Sequence, residues 1–138
     1  MTDKRSGFSK SEKLCSHSVI SKLLEEGNSF FCYPFTVIWM PENKSSRFPV
    51  QLAISVPRKS FKKAVHRNKI KRLVREAWRK NKHDLYSILE QQNYQLVIML
   101  IYNGKDIPAY EKLVKAINTM ISKFTDVLAD AINKDLPD

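Results

Sequence analysis

The sequence predicts a single small α+β domain, a three-stranded sheet packed with helices in the order α-β-β-α-β-α. Three observations carry this expectation. The chain has 138 residues, 43% of them hydrophobic, which suits one domain with a modest core. Three apolar stretches, at 30–40, 50–56 and 94–102, have the composition of strands. Three other stretches repeat apolar residues at helical spacing.

Taken in order, residues 1–12 read as a flexible polar arm, 13–132 as the folded domain and 133–138 as a short tail. A first helix is predicted from about Ser16 to Glu26, because Val19, Ile20, Leu23 and Leu24 recur at helical spacing and Gly27 suits its end. "FFCYPFTVIWM" (Phe30 to Met40) reads as one aromatic and β-branched strand, with Pro34 marking an edge or bulge. Phe31, Tyr33, Phe35, Val37 and Trp39 would then share a core face, and Pro34, Thr36 and Ile38 the other. "VQLAISV" (Val50 to Val56) alternates strongly apolar residues with smaller or polar ones. The short polar link between these two strands predicts an antiparallel hairpin. Pro57 ends the second strand, and a basic helix follows. "YQLVIMLIY" (Tyr94 to Tyr102) reads as a buried central strand. "NGKD" is a turn, and Pro108 falls in the first turn of a last helix. That helix has an apolar stripe of Leu113, Ile117, Met120, Ile121, Phe124, Leu128, Ala131 and Ile132.

Charge is distributed unevenly. The formal net charge is +10, with 24 basic and 14 acidic residues. Arg58 to Lys82 holds twelve of the basic residues and only one acidic residue, Glu76, a balance of +11. The remainder of the chain carries −1. A near-neutral body with one concentrated positive segment points to a polyanionic partner, nucleic acid before membrane. At about 100° per residue, Ile70, Leu73, Val74, Ala77 and Trp78 share the inward face of this helix. Asn68, Lys71, Arg72, Arg75 and Arg79 lie nearly opposite, with Glu76 off that row. Arg dominates the row, and its planar fork matches phosphate oxygens in pairs. A membrane-surface helix needs its apolar face free to insert, whereas here that face is expected in the core.

The segment "AVHRNKIKRLVREAW" resembles the signature of the bacterial ribonuclease P protein subunit. Arg67-Asn68-Lys69, Lys71-Arg72 and Arg75-Glu76 follow that family's pattern, with Lys69 where the family more often has Arg. "AISVPRKSFKKAV" resembles the strand leading into the signature helix, and "KLCSHSVISKLLEEGNSF" the first helix and following turn. The resemblance implies a left-handed β-α-β crossover, where connection statistics alone favour a right-handed one. It further implies that Arg67, Asn68, Lys69, Lys71, Arg72, Arg75 and Arg79 dock the catalytic RNA. A groove between first helix and sheet would receive the 5′ leader of precursor tRNA. Lys13, Ile20, Leu24 and Ile38 would line that groove, and Arg58 and Lys59 would hold leader phosphates. Ile20 and Leu24 stand where the family often has aromatic residues.

By this resemblance the chain is expected to assist removal of the 5′ leader from precursor tRNA as a subunit of an endoribonuclease. The catalytic groups would belong to the RNA. No strand contains Asp or Glu, the three histidines are scattered, and only three glycines are present, so no catalytic residue and no metal site are expected in this chain. Mg²⁺ is expected to be required by the ribonucleoprotein, with no cofactor bound by the protein alone. The expected partners are the catalytic RNA and precursor tRNA, with no protein partner and no membrane. Cys15 and Cys32 fit no metal spacing and are expected to be reduced thiols. The polar start "MTDKRSGFSK" lacks the apolar centre of a secretory signal, so a cytoplasmic location is expected. The alternatives are a general RNA-binding or ribosome-associated module, or a protein-only nuclease.

Overall fold

The computed structural model describes residues 17–41 and 49–135, and the side chains of 18–41 and 49–128 among them. Its elements are α1 (His17–Glu26), β1 (Asn28–Cys32), β2 (Phe35–Pro41), β3 (Val50–Ser55), α2 (Ala64–Asn81), α3 (His83–Gln91), β4 (Leu96–Tyr102) and α4 (Tyr110–Asp135). The expected α+β class holds, with four strands where three are predicted.

The extra strand comes from the aromatic segment, which is two strands and not one. Tyr33 and Pro34, joined by a cis peptide, turn the chain so that β1 folds back antiparallel on β2, with Cys32 opposite Phe35. This reversal corrects the predicted faces. Phe35, Val37 and Trp39 are buried, while Phe31 and Tyr33 are exposed. The expected hairpin between the second and third strands is also absent. The sheet order is β1-β2-β4-β3, so β4 inserts between them, antiparallel to β2 and parallel to β3. A fully apolar strand is well suited to that central place, because it has a neighbour on each side and no residue of it is exposed.

One face of the sheet builds the main core. Val37 and Trp39 of β2, Leu52 of β3, and Ile98 and Leu100 of β4 lie side by side in register. Ile70, Val74, Ala77 and Trp78 from α2, and Leu113, Ile117, Met120 and Phe124 from α4, close over them. The Phe124 ring meets Phe30 and Trp39 edge-on, at centroid distances of 5.2 and 5.8 Å. The predicted stripe of the last helix is therefore correct as far as Leu128, and the side chains of Ala131 and Ile132 lie outside the described residues. Pro108 precedes α4, which starts two residues later.

Residues 83–91, to which the predicted order α-β-β-α-β-α assigns no element, form α3, whose Leu85, Tyr86 and Leu89 are buried. Lys82 joins α2 to α3 and is fully buried, its Nζ 4.8 Å from the centre of the Tyr86 ring. The last cation of the basic run thus belongs to the interior. Cys32 is a free, buried thiol that donates to the carbonyl of Ala116 at 3.6 Å. Cys15 lies outside the described residues.

The other face of the sheet is only partly covered. There α1 places Leu23 against Val97, both with no exposed surface, and half-buried Val19, Ile20, Ile38, Met40, Ala53 and Met99 surround that pair. Gly27 permits the close approach. A Cβ there would stand 2.4 Å from the Leu23 carbonyl oxygen and 2.9 Å from an Ile38 methyl.

Candidate nucleic-acid interface

The interface is built on α2. The apolar residues of that helix recur every three to four positions, so the sheet fixes its rotation. Ile70, Val74, Ala77 and Trp78 face inward, and half-buried Leu73 packs beside them. The opposite side carries the cations. Asn68, Lys69 and Arg72 are exposed, whereas Lys71, Arg75 and Arg79 are half-buried, their stems lying along the domain. The helix has no acidic residue in its first turn, and no side chain caps its start at Lys63. Both features leave the positive end of the helix dipole open to an anion.

Two predicted RNA ligands have partners within the protein. The Arg67 guanidinium donates through Nη1 to the carbonyls of Phe61 (2.8 Å) and Lys62 (2.9 Å). It ties the loop before α2 to the helix, a loop already tightened by the Phe61 and Ser60 amides donating to Pro57. Arg79 is held by Glu76, with Nη2 to Oε1 at 2.5 Å and Nε to Oε2 at 3.2 Å. Lys80 lies 3.7 Å from the same carboxylate. The hydrogen bond from Arg79 holds the Glu76 carboxyl below its ordinary range, and the Arg79 guanidinium is shifted up in return. Glu76 therefore pairs with the C-terminal end of the row and offsets one of its positive charges.

This pairing has a consequence for affinity. A lowered carboxyl pKa means that the ion pair is formed above the ordinary Glu range and is lost as pH falls through the lowered value. Near neutral pH Glu76 is charged. Glu76→Gln is expected to tighten RNA binding and steepen its salt dependence, because a negative charge is removed from beside the cations of α2. Fluorescence titrations across a salt series measure this, and weaker binding by the variant would show that Glu76 orients Arg79 for RNA.

The second predicted region lies on the incompletely covered sheet face. Ile20 and Ile38 come together around the Leu23–Val97 contact. Leu24, one turn beyond Ile20, is 55% exposed at the edge. Arg58 and Lys59 are exposed in the turn after β3, at the sheet end where Ser55 pairs with Ile101 and Thr36 pairs with Ile101 from the other side. Lys13 lies outside the described residues. Ala53 and Met99, absent from the predicted set, also pack around the floor of this depression. The alternation Val97, Met99, Ile101 carries that signal, but only once the strand order is known. Among the described residues no three His, Cys, Asp or Glu side chains gather as a metal site, and no helix is long and apolar enough to cross a membrane.

The fold and the sequence both recur in known proteins. A family described as Ribonuclease P matches residues 8–125. This chain belongs to the ribonuclease P protein family. The ribonuclease P protein component of Porphyromonas gingivalis is 34% identical over 110 residues, covering 80% of each chain. That of Pseudoalteromonas translucida is 28% identical over 119 residues, covering 86% of this chain and 78% of its own. Among solved structures, the RNase P protein of Thermotoga maritima superposes with a TM-score of 0.65 at 24% identity, over 81% of this chain and 96% of that one. The RNase P protein of Staphylococcus aureus gives 0.61 at 20% identity, over 84% and 96%. At these identities the structures establish the shared fold, and the family rests on the sequence matches.

Proposed function

We propose that this chain is the RNA-binding protein subunit of a ribonuclease P, assisting a catalytic RNA in cutting the 5′ leader from precursor tRNA in the cytoplasm. The observation that carries this reading is the nearly single-signed outer row of α2 on a domain of this family. The exposed and half-exposed cations at Lys69, Lys71, Arg72 and Arg75 would lie along the phosphates of the catalytic RNA, with Asn68 donating and accepting beside them. Arg67 would act mainly by fixing the loop that presents Lys62 and Lys63. The depression beside α1 would receive the single-stranded leader, Ile20, Leu24 and Ile38 offering apolar contact and Arg58 and Lys59 gripping phosphates. This chain would supply charge and position, and the RNA would hold the Mg²⁺ and the reacting groups.

The test is a salt series with the full chain and the RNA that co-purifies with it. Lys69→Ala combined with Arg72→Ala should weaken binding and flatten the slope of log affinity against log salt by roughly one to two units. Melting should be unchanged, since both side chains are exposed. An unchanged slope would remove α2 from the interface. Equal affinity for unrelated RNAs in competition would instead favour a general RNA-binding module.

A further inference from the structure

The sheet end at which β2 begins and β4 stops carries a feature that neither the α2 row nor the depression beside α1 uses. A cleft of about 880 Å³ opens there between the β1–β2 turn, the connection from β4 to α4, and the first half of α4. Among the described residues, three of the five large exposed hydrophobic side chains stand on its rim: Phe31 at 56%, Tyr33 at 70% and Ile107 at 37% exposure. The Phe31 and Tyr33 rings are 6.3 Å apart and tilted by 58°, so their faces are not spent on each other. Lys105, Lys112, Lys115 and Lys123 line the same cleft, against one carboxylate, Asp106. Lys123 donates to the Phe31 carbonyl at 3.1 Å, while Lys105, Lys112 and Lys115 form no ion pair among the described residues.

Exposed rings alone would fit a protein partner. The lysines decide against one, because an apolar helix laid on the rings would strip water from several unpaired ammonium groups. Single-stranded RNA satisfies both halves, with base faces for the rings and phosphates for the lysines. A duplex satisfies only the lysines, since its base faces are already stacked. The cleft lies at the same sheet end as the turn that bears Arg58 and Lys59. Phe61 closes that turn through its amide on the Pro57 carbonyl, and its ring lies 6.0 Å from Tyr102, a wall of the cleft.

We propose that the cleft formed by Phe31, Tyr33, Lys112 and Lys115 binds single-stranded RNA, and that its occupant is the upstream part of a long 5′ leader after it passes Arg58 and Lys59. This rests on the function proposed above. A short leader ends in the depression beside α1, and a longer one turns over the sheet end into the cleft.

The experiment uses the full chain assembled with its RNA subunit, and precursor tRNAs with leaders of about four and about sixteen nucleotides. Tyr33→Ala with Lys112→Ala and Lys115→Ala should weaken binding of the long-leader precursor roughly ten- to a hundredfold, and leave the short-leader precursor unchanged. Tyr33→Phe keeps the ring and should retain binding. Unchanged long-leader binding overturns the proposal. Equal loss on both precursors also overturns it, by placing the RNA subunit in the cleft. A Tyr33→Phe variant as weak as Tyr33→Ala removes stacking from it. If the wild-type chain fails to improve binding even of the short-leader precursor, the function proposed above falls and takes the cleft with it; a working short-leader control confines any failure to the cleft.

Discussion

Val74→Asp is expected to abolish the fold near neutral pH. Val74 has no exposed surface and sits mid-helix on the inward side of α2, within the main core. Losing the valine forfeits about 2 kcal/mol of apolar burial, and an unpaired carboxylate in its place costs several kcal/mol more. A domain of this size has on the order of 5–15 kcal/mol in total. Desolvation raises the pKa of such an Asp in the folded state. The variant is therefore least impaired below the ordinary Asp value of about 4, and loses stability as pH rises from there. Arg72→Asp supplies the control, because it introduces the same residue two positions away on the exposed side. It should melt near the wild-type temperature and lose RNA affinity through a charge reversal. Circular dichroism and a salt-series titration on both variants decide the matter. A folded Val74→Asp beside an unfolded Arg72→Asp would mean that the helix faces are reversed.

That contrast rests on a feature the sequence displays openly. A helix between water and a core must repeat its apolar residues at 3.6, and Ile70, Val74, Ala77 and Trp78 do so while the outer positions keep one sign. What sequence hid was mostly non-local. The segment 30–40 is continuous in β propensity, so the reversal at Tyr33–Pro34 has only one proline as a marker, without the Gly or Asn that usually announces a hairpin. With the segment taken as one strand, the alternation predicts Phe31 and Tyr33 on the core face. The insertion of β4 between β2 and β3 pairs residues far apart in the chain, which no local pattern reports. The helix α3 is only nine residues long, too short for its Leu85–Leu89 repeat to stand out. Within the site, the positions on α2 and the Ile20–Ile38 neighbourhood were accessible through pattern and resemblance. The carbonyls that engage Arg67 were not, since backbone acceptors are set by the path of the loop and not by residue type.

Under low Mg²⁺, the RNA subunit with this protein is expected to cleave precursor tRNA that the RNA alone leaves uncut. Crowded RNA phosphates repel one another, and they can be neutralised by mobile cations or by fixed ones. The basic segment supplies fixed charge, most of it ordered on α2 and in the turn before it, so the Mg²⁺ needed for assembly falls. At high Mg²⁺ the mobile cations suffice, and the advantage of the protein should shrink. The protein without RNA should leave precursor tRNA intact. The proposed leader contacts would add a separate dependence. Arg58→Ala with Lys59→Ala removes two exposed cations and no core contact, so its cost should depend on what the leader can reach. With a leader of about ten nucleotides, apparent substrate affinity should fall roughly tenfold, about 1.4 kcal/mol. With a leader of one or two nucleotides, taken as about the shortest that leaves the depression unfilled, the same variant should match the wild type. Cleavage rates across Mg²⁺ concentration and leader length, at matched ionic strength, separate the two effects. Equal stimulation of long and short leaders would sink the leader contacts and leave docking by α2 intact. Cleavage by the RNA-free protein would overturn the division of labour, because it would require reacting groups in this chain.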